Sequence, residues 1–451
     1  MLFLLLPVLS LAAGSVVCGA QAPEIPAAVL QSIHSRVDHG YNVGIVVGVV
    51  NPNGIRHYAY GRTHAGGESA PDEDTVFEIG SITKVFTSIL LADMVEQGDL
   101  ALEDPIQRFL PDSISVPTRN GESITLEHLA THTSGLPRMP TNFAPADAAN
   151  PYADYSVGQL YAFLDGYRLR RDIGAQYEYS NYGAGLLGHI LARRAGTSYE
   201  ELVKRRILDR LGMTSTGVTL TADLADRLAD GHAGTAVVSN WDIPTLAGAG
   251  ALRSTARDML VFLSANLALT ESPLLGAMQA THHPRYATGS PDMHVGLGWH
   301  IRSGSREVVW HNGGTGGYRS FAGFVAATQT GVVVLTNSTQ SADDVGFHLL
   351  DPSVPLREIR VPLAIDPDIL GRYVGRYELA PGYVFDVTAA SGQLFAQLTG
   401  QPRFRVYPES ETAFYYTVVE ARLTFELDGS GAVTALVLHQ RGVDRRARKL
   451  P

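Results

Sequence analysis

Cysteine is almost missing from this chain of 451 residues: Cys18 is the only one, and it sits in the leading segment. If cleavage follows Ala22, the mature chain has none, which excludes disulfides, thiolate zinc sites and a catalytic thiol. Charge is sparse too. Charged residues make up 18% of the chain, 45 acidic against 35 basic, giving a net charge of -10 with no strong runs. No broad basic face can be read, so a nucleic-acid partner is not expected. The one positive cluster, Arg445, Arg446, Arg448 and Lys449, stands at the very end and reads as a solvated tail. Internal repeats and low-complexity tracts are missing. So is a Gly-x-Ser-x-Gly elbow, which disfavours one common route to serine chemistry. What is present is a 45% hydrophobic composition, enough for a sizeable core, over a length that suits two or three domains.

Residues 2–20 are uncharged and rich in leucine, and Ala20-Gln21-Ala22 offers a small-x-small cleavage site before Pro23. The expectation is a signal peptide over residues 1–22 and an exported chain, periplasmic or secreted. An uncleaved membrane anchor is the rival, because 19 uncharged residues approach the length that spans a bilayer. Pro7 and the weakly apolar Gly14, Ser15 and Gly19 count against it. Cys18 invites a lipidation reading, but Val17 before it is larger than such sites usually accept.

The apolar run 43–50 ends at Asn51-Pro52-Asn53-Gly54 and reads as a strand and turn. From Ser81 the apolar residues Ile82, Val85, Phe86, Ile89, Leu90 and Met94 recur by threes and fours before Gly98, which predicts an amphipathic helix over 81–97. Helical patterning continues to about residue 270, including 183–195 and 199–211. Strands return at 307–310, 318–326 and 332–337. Strands at both ends with helices between predict an α/β fold, one antiparallel sheet covered by helices plus a helical subdomain, over residues 23–350. Four prolines in 351–367 mark a linker, placed at 351–365. Residues 366–451 carry only short strands, among them 385–388, 394–398, 414–418, 423–427 and 433–439. They predict a small all-β barrel-like domain. Its tyrosines and phenylalanines read as core rather than as a ligand cradle.

A serine hydroxyl is a poor nucleophile until a base takes its proton. In Gly80-Ser81-Ile82-Thr83-Lys84, the three-residue spacing puts Ser81 and Lys84 on one helix face. A helix start also supplies unpaired N–H groups for a developing oxyanion. A desolvated lysine there has a lowered pKa and serves as a base. No other Ser-x-x-Lys occurs in the chain, yet the pattern alone equally describes an N-capping serine beside a surface lysine. Two further motifs shift the balance. Tyr179-Ser180-Asn181 leads into the helix at Gly183, offering a proton relay and an amide ligand. Trp310-His311-Asn312-Gly313-Gly314 ends a strand with residues small enough for a substrate to lie along the backbone.

In this order the three motifs resemble those of the class C β-lactamases and exported DD-peptidases, a penicillin-binding family with esterase and aminopeptidase relatives. Ile124 to Pro137, Leu208 to Met213 and Gly316-Gly317-Tyr318 resemble the same family, and the tail from Ile365 resembles the lipocalin-like domain of some members. The resemblance implies an acyl-enzyme hydrolase without a cofactor, acting on small esters or amides, β-lactams and D-amino-acid peptides among them. DD-carboxypeptidase or D-aminopeptidase activity, or a non-catalytic penicillin-binding role, are the alternatives. It implies acylation of Ser81, proton transfer by Lys84 and Tyr179, and substrate binding by Asn181, His311, Gly313 and Gly314. The N–H groups of Ser81 and Gly314 would form the oxyanion hole. One departure stands out. Many lactamases carry Lys-Thr-Gly where this chain has His311-Asn312-Gly313, and an imidazole of pKa ~6.5 supplies no permanent charge at neutral pH. Small neutral esters are therefore expected to be better substrates than carboxylate-bearing β-lactams.

Two other patterns compete. Gly183-Ala184-Gly185-Leu186-Leu187-Gly188 matches a dinucleotide fingerprint literally, but no apolar strand precedes it, so close helix packing is expected. His128 and His132 are four apart, yet no Glu follows the first, so no metal site is expected and both read as ordinary helix residues.

Overall fold

The computed structural model describes residues 22–451. The signal-peptide reading and Cys18 fall on the stretch before them and lie outside the described residues. Among the described residues, no helix is long and apolar enough to cross a membrane.

The centre of the first unit is an eight-stranded antiparallel sheet. Its order is Gly54–Gly61, Gly44–Asn51, Thr330–Thr336, Arg319–Val325, Val308–Gly314, His300–Arg302, Met293–Val295, Tyr286–Ala287. Strand Gly44–Asn51 shows why its apolar run is unbroken. Successive side chains point to opposite faces, and both faces are covered. Ile45, Val47 and Val49 meet Val29 and Ile33 of helix Ala27–Asp38, together with Val345 of helix Asp343–Leu350. Val46 and Val50 join the larger core on the other side, against helix Ala256–Asn266.

The nucleophile segment departs from its expected amphipathic form. A 3-10 turn, Gly80–Ile82, runs into helix Thr83–Glu96, which is buried on every side up to Met94. Phe86 stacks on Phe262 at 4.3 Å between ring centroids, and the opposite face meets helix Asn181–Ala195. Its polar residues are therefore internal and need partners. Asp93 has them in Arg206 and Arg210 at 2.8 and 3.2 Å, and Thr87 donates to the Gly248 carbonyl at 2.8 Å. A three-and-four apolar spacing looks amphipathic whenever small polar residues fill the other face, as Thr87 and Ser88 do here.

The glycine-rich helix Asn181–Ala195 is a packing device, as expected. A Cβ on Gly188 would lie 2.8 Å from the Gly248 Cα, and one on Gly185 would lie 2.5 Å from Leu246. Residues 199–211 are helical with one π turn, Lys204–Leu208. His128 and His132 do not share a helix face. His128 caps helix Leu126–Ala130 through Thr125, whereas His132 lies beyond the helix end at φ +60°. Among the described residues no group of three or more His, Cys, Asp or Glu side chains is placed to hold a metal ion.

Residues 352–366 carry neither helix nor strand. Beyond them, eight antiparallel strands from Gly375–Ala380 to Val443–Lys449 close into a barrel, with Glu378 paired to Arg448 at the seam. The basic cluster is thus the last barrel strand rather than a tail: Ala447 points into the core while Arg446 and Arg448 pair outside with Glu426 and Glu378. The 3-10 segment Pro367–Tyr373 supplies Tyr373, whose ring lies 4.6 Å from Phe425 and 5.5 Å from Phe414. Tyr373, Tyr377, Phe385, Phe414 and Phe425 are core, and the two tyrosine hydroxyls find backbone carbonyls, whereas Tyr383 is exposed.

Candidate active site

Ser81 and Lys84 meet at the start of the buried helix. The Lys84 Nζ donates to the Ser81 Oγ at 2.9 Å and to the Ala249 carbonyl at 2.6 Å, and it lies 4.8 Å from the centre of the Tyr179 ring. Among the described residues no carboxylate pairs with it. Burial, reinforced by the charge of Arg138, holds its amine well below the usual lysine value. The neutral form is the one that accepts a proton. Tyr179 is pushed the other way: burial raises its phenol well above the usual value, and contact with the Ser81 hydroxyl only partly offsets this.

Glycine is required where the nucleophile turn meets the sheet. Gly80 has φ +50°, and a Cβ there would lie 2.7 Å from the Gly314 nitrogen. A Cβ on Gly313 would fall within 1.9 Å of the Ile79 carbonyl oxygen. The absence of both side chains lets the end of strand Val308–Gly314 press on the turn that carries Ser81, so the Gly314 N–H and the Ser81 N–H belong to one small region. Ser180 caps helix Asn181–Ala195, which makes Asn181 its first residue. The Asn181 Oδ1 is buried without a partner among the described residues.

His311 is fully buried. Burial and the neighbouring His300 and Lys84 hold its pKa well below 6.5, so the ring is neutral. Its Nδ1 donates to the Asn312 carbonyl at 2.6 Å, which leaves Nε2 as a buried acceptor with no partner among the described residues.

Several cleft residues carry no motif. His132 accepts a hydrogen bond from the Ser180 N–H at 3.1 Å and packs 4.5 Å from the Tyr179 ring, fixing the second motif from beneath. His300 packs 4.9 Å from His311 and is pushed down to about 4 by burial and by Lys84. Trp241 is pinned at the rim, its N–H donating to Glu78 and its carbonyl accepting from Arg253, the buried partner of Glu78. Arg138 stacks over Tyr179 at 5.1 Å. Arg319 lies beside Gly314. His300, Trp241, Arg138, Arg319 and Ser81 line a cleft of about 450 Å³, with His132 buried behind Tyr179. The sequence signals for them are slight: Arg319 follows Gly316-Gly317-Tyr318, His132 lies within the stretch Ile124 to Pro137, and Arg138 directly follows it. The two arginines change the expectation drawn from His311. The third motif is uncharged, but the cleft is not.

A Ser–Lys pair buried at a helix start, beside an antiparallel sheet edge and a tyrosine, defines a serine hydrolase of the penicillin-recognising class. A family model described as beta-lactamase matches residues 31–350, and the chain belongs to that family. A second model, described as a domain of unknown function, matches residues 360–448. The D-alanyl-D-alanine-carboxypeptidase/endopeptidase AmpH of Escherichia coli is 30% identical over 337 residues, covering 70% of this chain and 85% of that protein. A penicillin-binding protein of Bacillus subtilis is 25% identical over 442 residues, covering 91% and 95%. Among solved structures, a class C beta lactamase from Rhodobacter sphaeroides superposes with a TM-score of 0.63 at 26% identity, covering 73% of this chain and 99% of that one.

Proposed function

We propose that the protein is an exported hydrolase that opens small esters and amides, D-alanyl peptides and β-lactams among them, through an acyl-enzyme on Ser81. The observation that carries this reading is the 2.9 Å contact between the Ser81 hydroxyl and a buried lysine whose neutral form is favoured. In acylation the Ser81 proton passes to Lys84 Nζ as Oγ attacks the carbonyl carbon. The oxyanion takes hydrogen bonds from the N–H groups of Ser81 and Gly314. Collapse expels the leaving group, which receives the proton by way of Lys84 and Tyr179. Water then repeats the sequence on the acyl-enzyme and frees Ser81. Asn181 and the backbone at Gly313 and Gly314 hold the acyl part, and His311 offers a neutral acceptor beside Tyr179. D-alanyl peptides are supported by the name of the Escherichia coli relative, β-lactams by that of the Rhodobacter sphaeroides enzyme. Export is supported by the uncharged, leucine-rich residues 2–20.

We read residues 23–350 as the catalytic domain, 351–365 as a linker and 366–451 as a lipocalin-like unit that bears on access or assembly. Val418 approaches Gly234, on the loop that leads toward Trp241 at the cleft rim. The test is labelling by a fluorescent penicillin and a fluorophosphonate, with turnover of nitrocefin, a p-nitrophenyl ester and a D-alanyl-D-alanine peptide. Ser81→Ala should lose labelling and turnover together while keeping its fold. Stoichiometric labelling of that variant at another serine would overturn the assignment.

A further inference from the structure

We propose that His300 is a catalytic residue of deacylation: together with His311 it holds the water that hydrolyses the acyl-enzyme. The inference rests on the reading of Ser81 as the nucleophile, and it gives the hydrolytic half of the reaction its own residue, one that no sequence motif marks.

His300 opens strand His300–Arg302 and pairs in register with Trp310, one residue before His311. The two imidazole centroids are 4.9 Å apart, and they stand 6.4 and 6.2 Å from the Tyr179 ring. The Tyr177 hydroxyl meets His300 Nε2 at 3.0 Å. Burial pushes that phenol up to about 12, so it keeps its proton, and among the described residues it has no other acceptor. Tyr177 therefore donates, His300 Nε2 accepts, and the ring proton stays on Nδ1. In His311 the Nδ1 proton is engaged by the Asn312 carbonyl, which leaves Nε2 as an acceptor. His300 Nδ1 and His311 Nε2 are both buried and without a partner among the described residues.

A neutral donor and a neutral acceptor on adjoining rings match a water molecule, which accepts one hydrogen bond and donates the other. Left open, each buried nitrogen costs stability, and a water between them removes that cost. His300 lines the same cleft as Ser81, so this water stands on the side from which the acyl group is attacked. In deacylation its oxygen bonds to the acyl carbon while one of its protons passes by way of Tyr179 to Lys84 Nζ. The bond between that carbon and Ser81 Oγ then breaks, Oγ takes the proton back, and the free acid leaves. The hydrogen bond from His300 Nδ1 and the one to His311 Nε2 aim the remaining lone pair of the water. The competing account is that His300 merely braces His311 and Tyr179 by packing.

The experiment measures the two half-reactions separately on the full-length protein with p-nitrophenyl acetate. With enzyme in excess, release of p-nitrophenol reports acylation, and intact-mass spectrometry follows the decay of the acetyl-enzyme. His300→Phe should slow that decay by about tenfold, the share of one lost hydrogen bond in the transition state, while acylation stays within about twofold. Hydroxylamine, a nucleophile that needs no held water, should close most of the gap. His300→Asn, whose amide N–H falls near the position of Nδ1, should recover part of the loss. Tyr177→Phe frees the His300 tautomer and leaves the cleft residues in place, and it should slow the decay by about threefold. An unchanged decay in Tyr177→Phe would overturn the proposal even if His300→Phe does not fold. Acylation and decay slowed in equal proportion by His300→Phe would assign His300 to packing alone. If Ser81→Ala still takes up an acetyl group, the nucleophile assignment fails instead, and the two failures are distinct.

Discussion

The two halves of this chain bury different kinds of atom. In the barrel, the described buried side chains are apolar or aromatic apart from Thr417, and Tyr373 and Tyr377 tie their hydroxyls to backbone carbonyls. In the hydrolase half, Lys84, His132 and His311 are buried around one serine, each held away from its charged form. Among the described residues, Thr388 Oγ1 is the one buried side-chain atom of the barrel without a partner. The cleft has several, on Asn181, His300 and His311. Leaving polar atoms buried and unsatisfied costs stability. The barrel is built for folding, and the cleft keeps its cost because open donors and acceptors bind substrate.

Lys84→Ala tests that contrast most severely. It should lower kcat/KM by about a thousandfold, the share a positioned base supplies, while the melting temperature holds or rises because a buried amine is removed. In the wild type, kcat/KM should rise with pH as Lys84 loses its proton, levelling well below the usual lysine range, and the variant should lose that limb. A large fall in thermal stability would show that Lys84 is chiefly structural. The converse experiment is Phe425→Ala in the barrel. It should cost about 3–5 kcal/mol of barrel stability and leave turnover of a p-nitrophenyl ester unchanged.

Acid should separate the halves more gently. His282 and His300 are pushed down to about 4 by burial, and His132 and His311 also lie well below 6.5. Between about pH 4 and 6.5 the unfolded chain binds protons that the folded one refuses, so stability falls as pH drops through this window. Each of the first two should cost about 1–2 kcal/mol between pH 7 and 5. The barrel's single histidine, His439, faces its outer side beside Asp444. Calorimetry at pH 7 and 5 should show the hydrolase transition moving down further than the barrel transition. Equal movement would mean that the buried histidines do not govern acid stability.

What was legible in the sequence follows from how far apart the cooperating residues stand. Ser81 and Lys84 touch because they are one helical turn apart, so spacing alone pairs them. Tyr179 and His311 are far away in sequence but sit inside recognisable motifs. Arg138, Trp241 and His300 reach the cleft only through tertiary packing. His132 looks like a helix residue until the helix ends before it. The barrel strands alternate clearly at Leu423, Phe425 and Leu427. Strand Val443–Lys449 was hidden, because one inward Ala447 among exposed charges carries almost no apolar signal. The seam between the halves was equally hidden, since it consists of single residues from three segments.

That seam carries the smallest prediction. Gly40, at φ +75°, leaves room for Tyr407, whose hydroxyl would be 2.2 Å from an added Cβ. Tyr407 stacks on Tyr415 at 5.8 Å, and Tyr41 packs against the same ring at 6.4 Å. The Tyr415 hydroxyl donates to the Arg360 carbonyl of the connecting segment at 2.7 Å, and Tyr41 reaches that carbonyl at 3.5 Å. Tyr415→Phe keeps the ring and its packing and removes one hydrogen bond. The carbonyl keeps Tyr41, so no acceptor is stranded, and the cost should be about 0.5–1.5 kcal/mol. If the seam couples the halves, this loss should pull the two unfolding transitions apart in calorimetry while kcat/KM stays within about twofold. A change in kcat/KM without any change in the transitions would mean that the barrel acts on the cleft through this contact, and the division between a folding half and a chemical half would have to be redrawn.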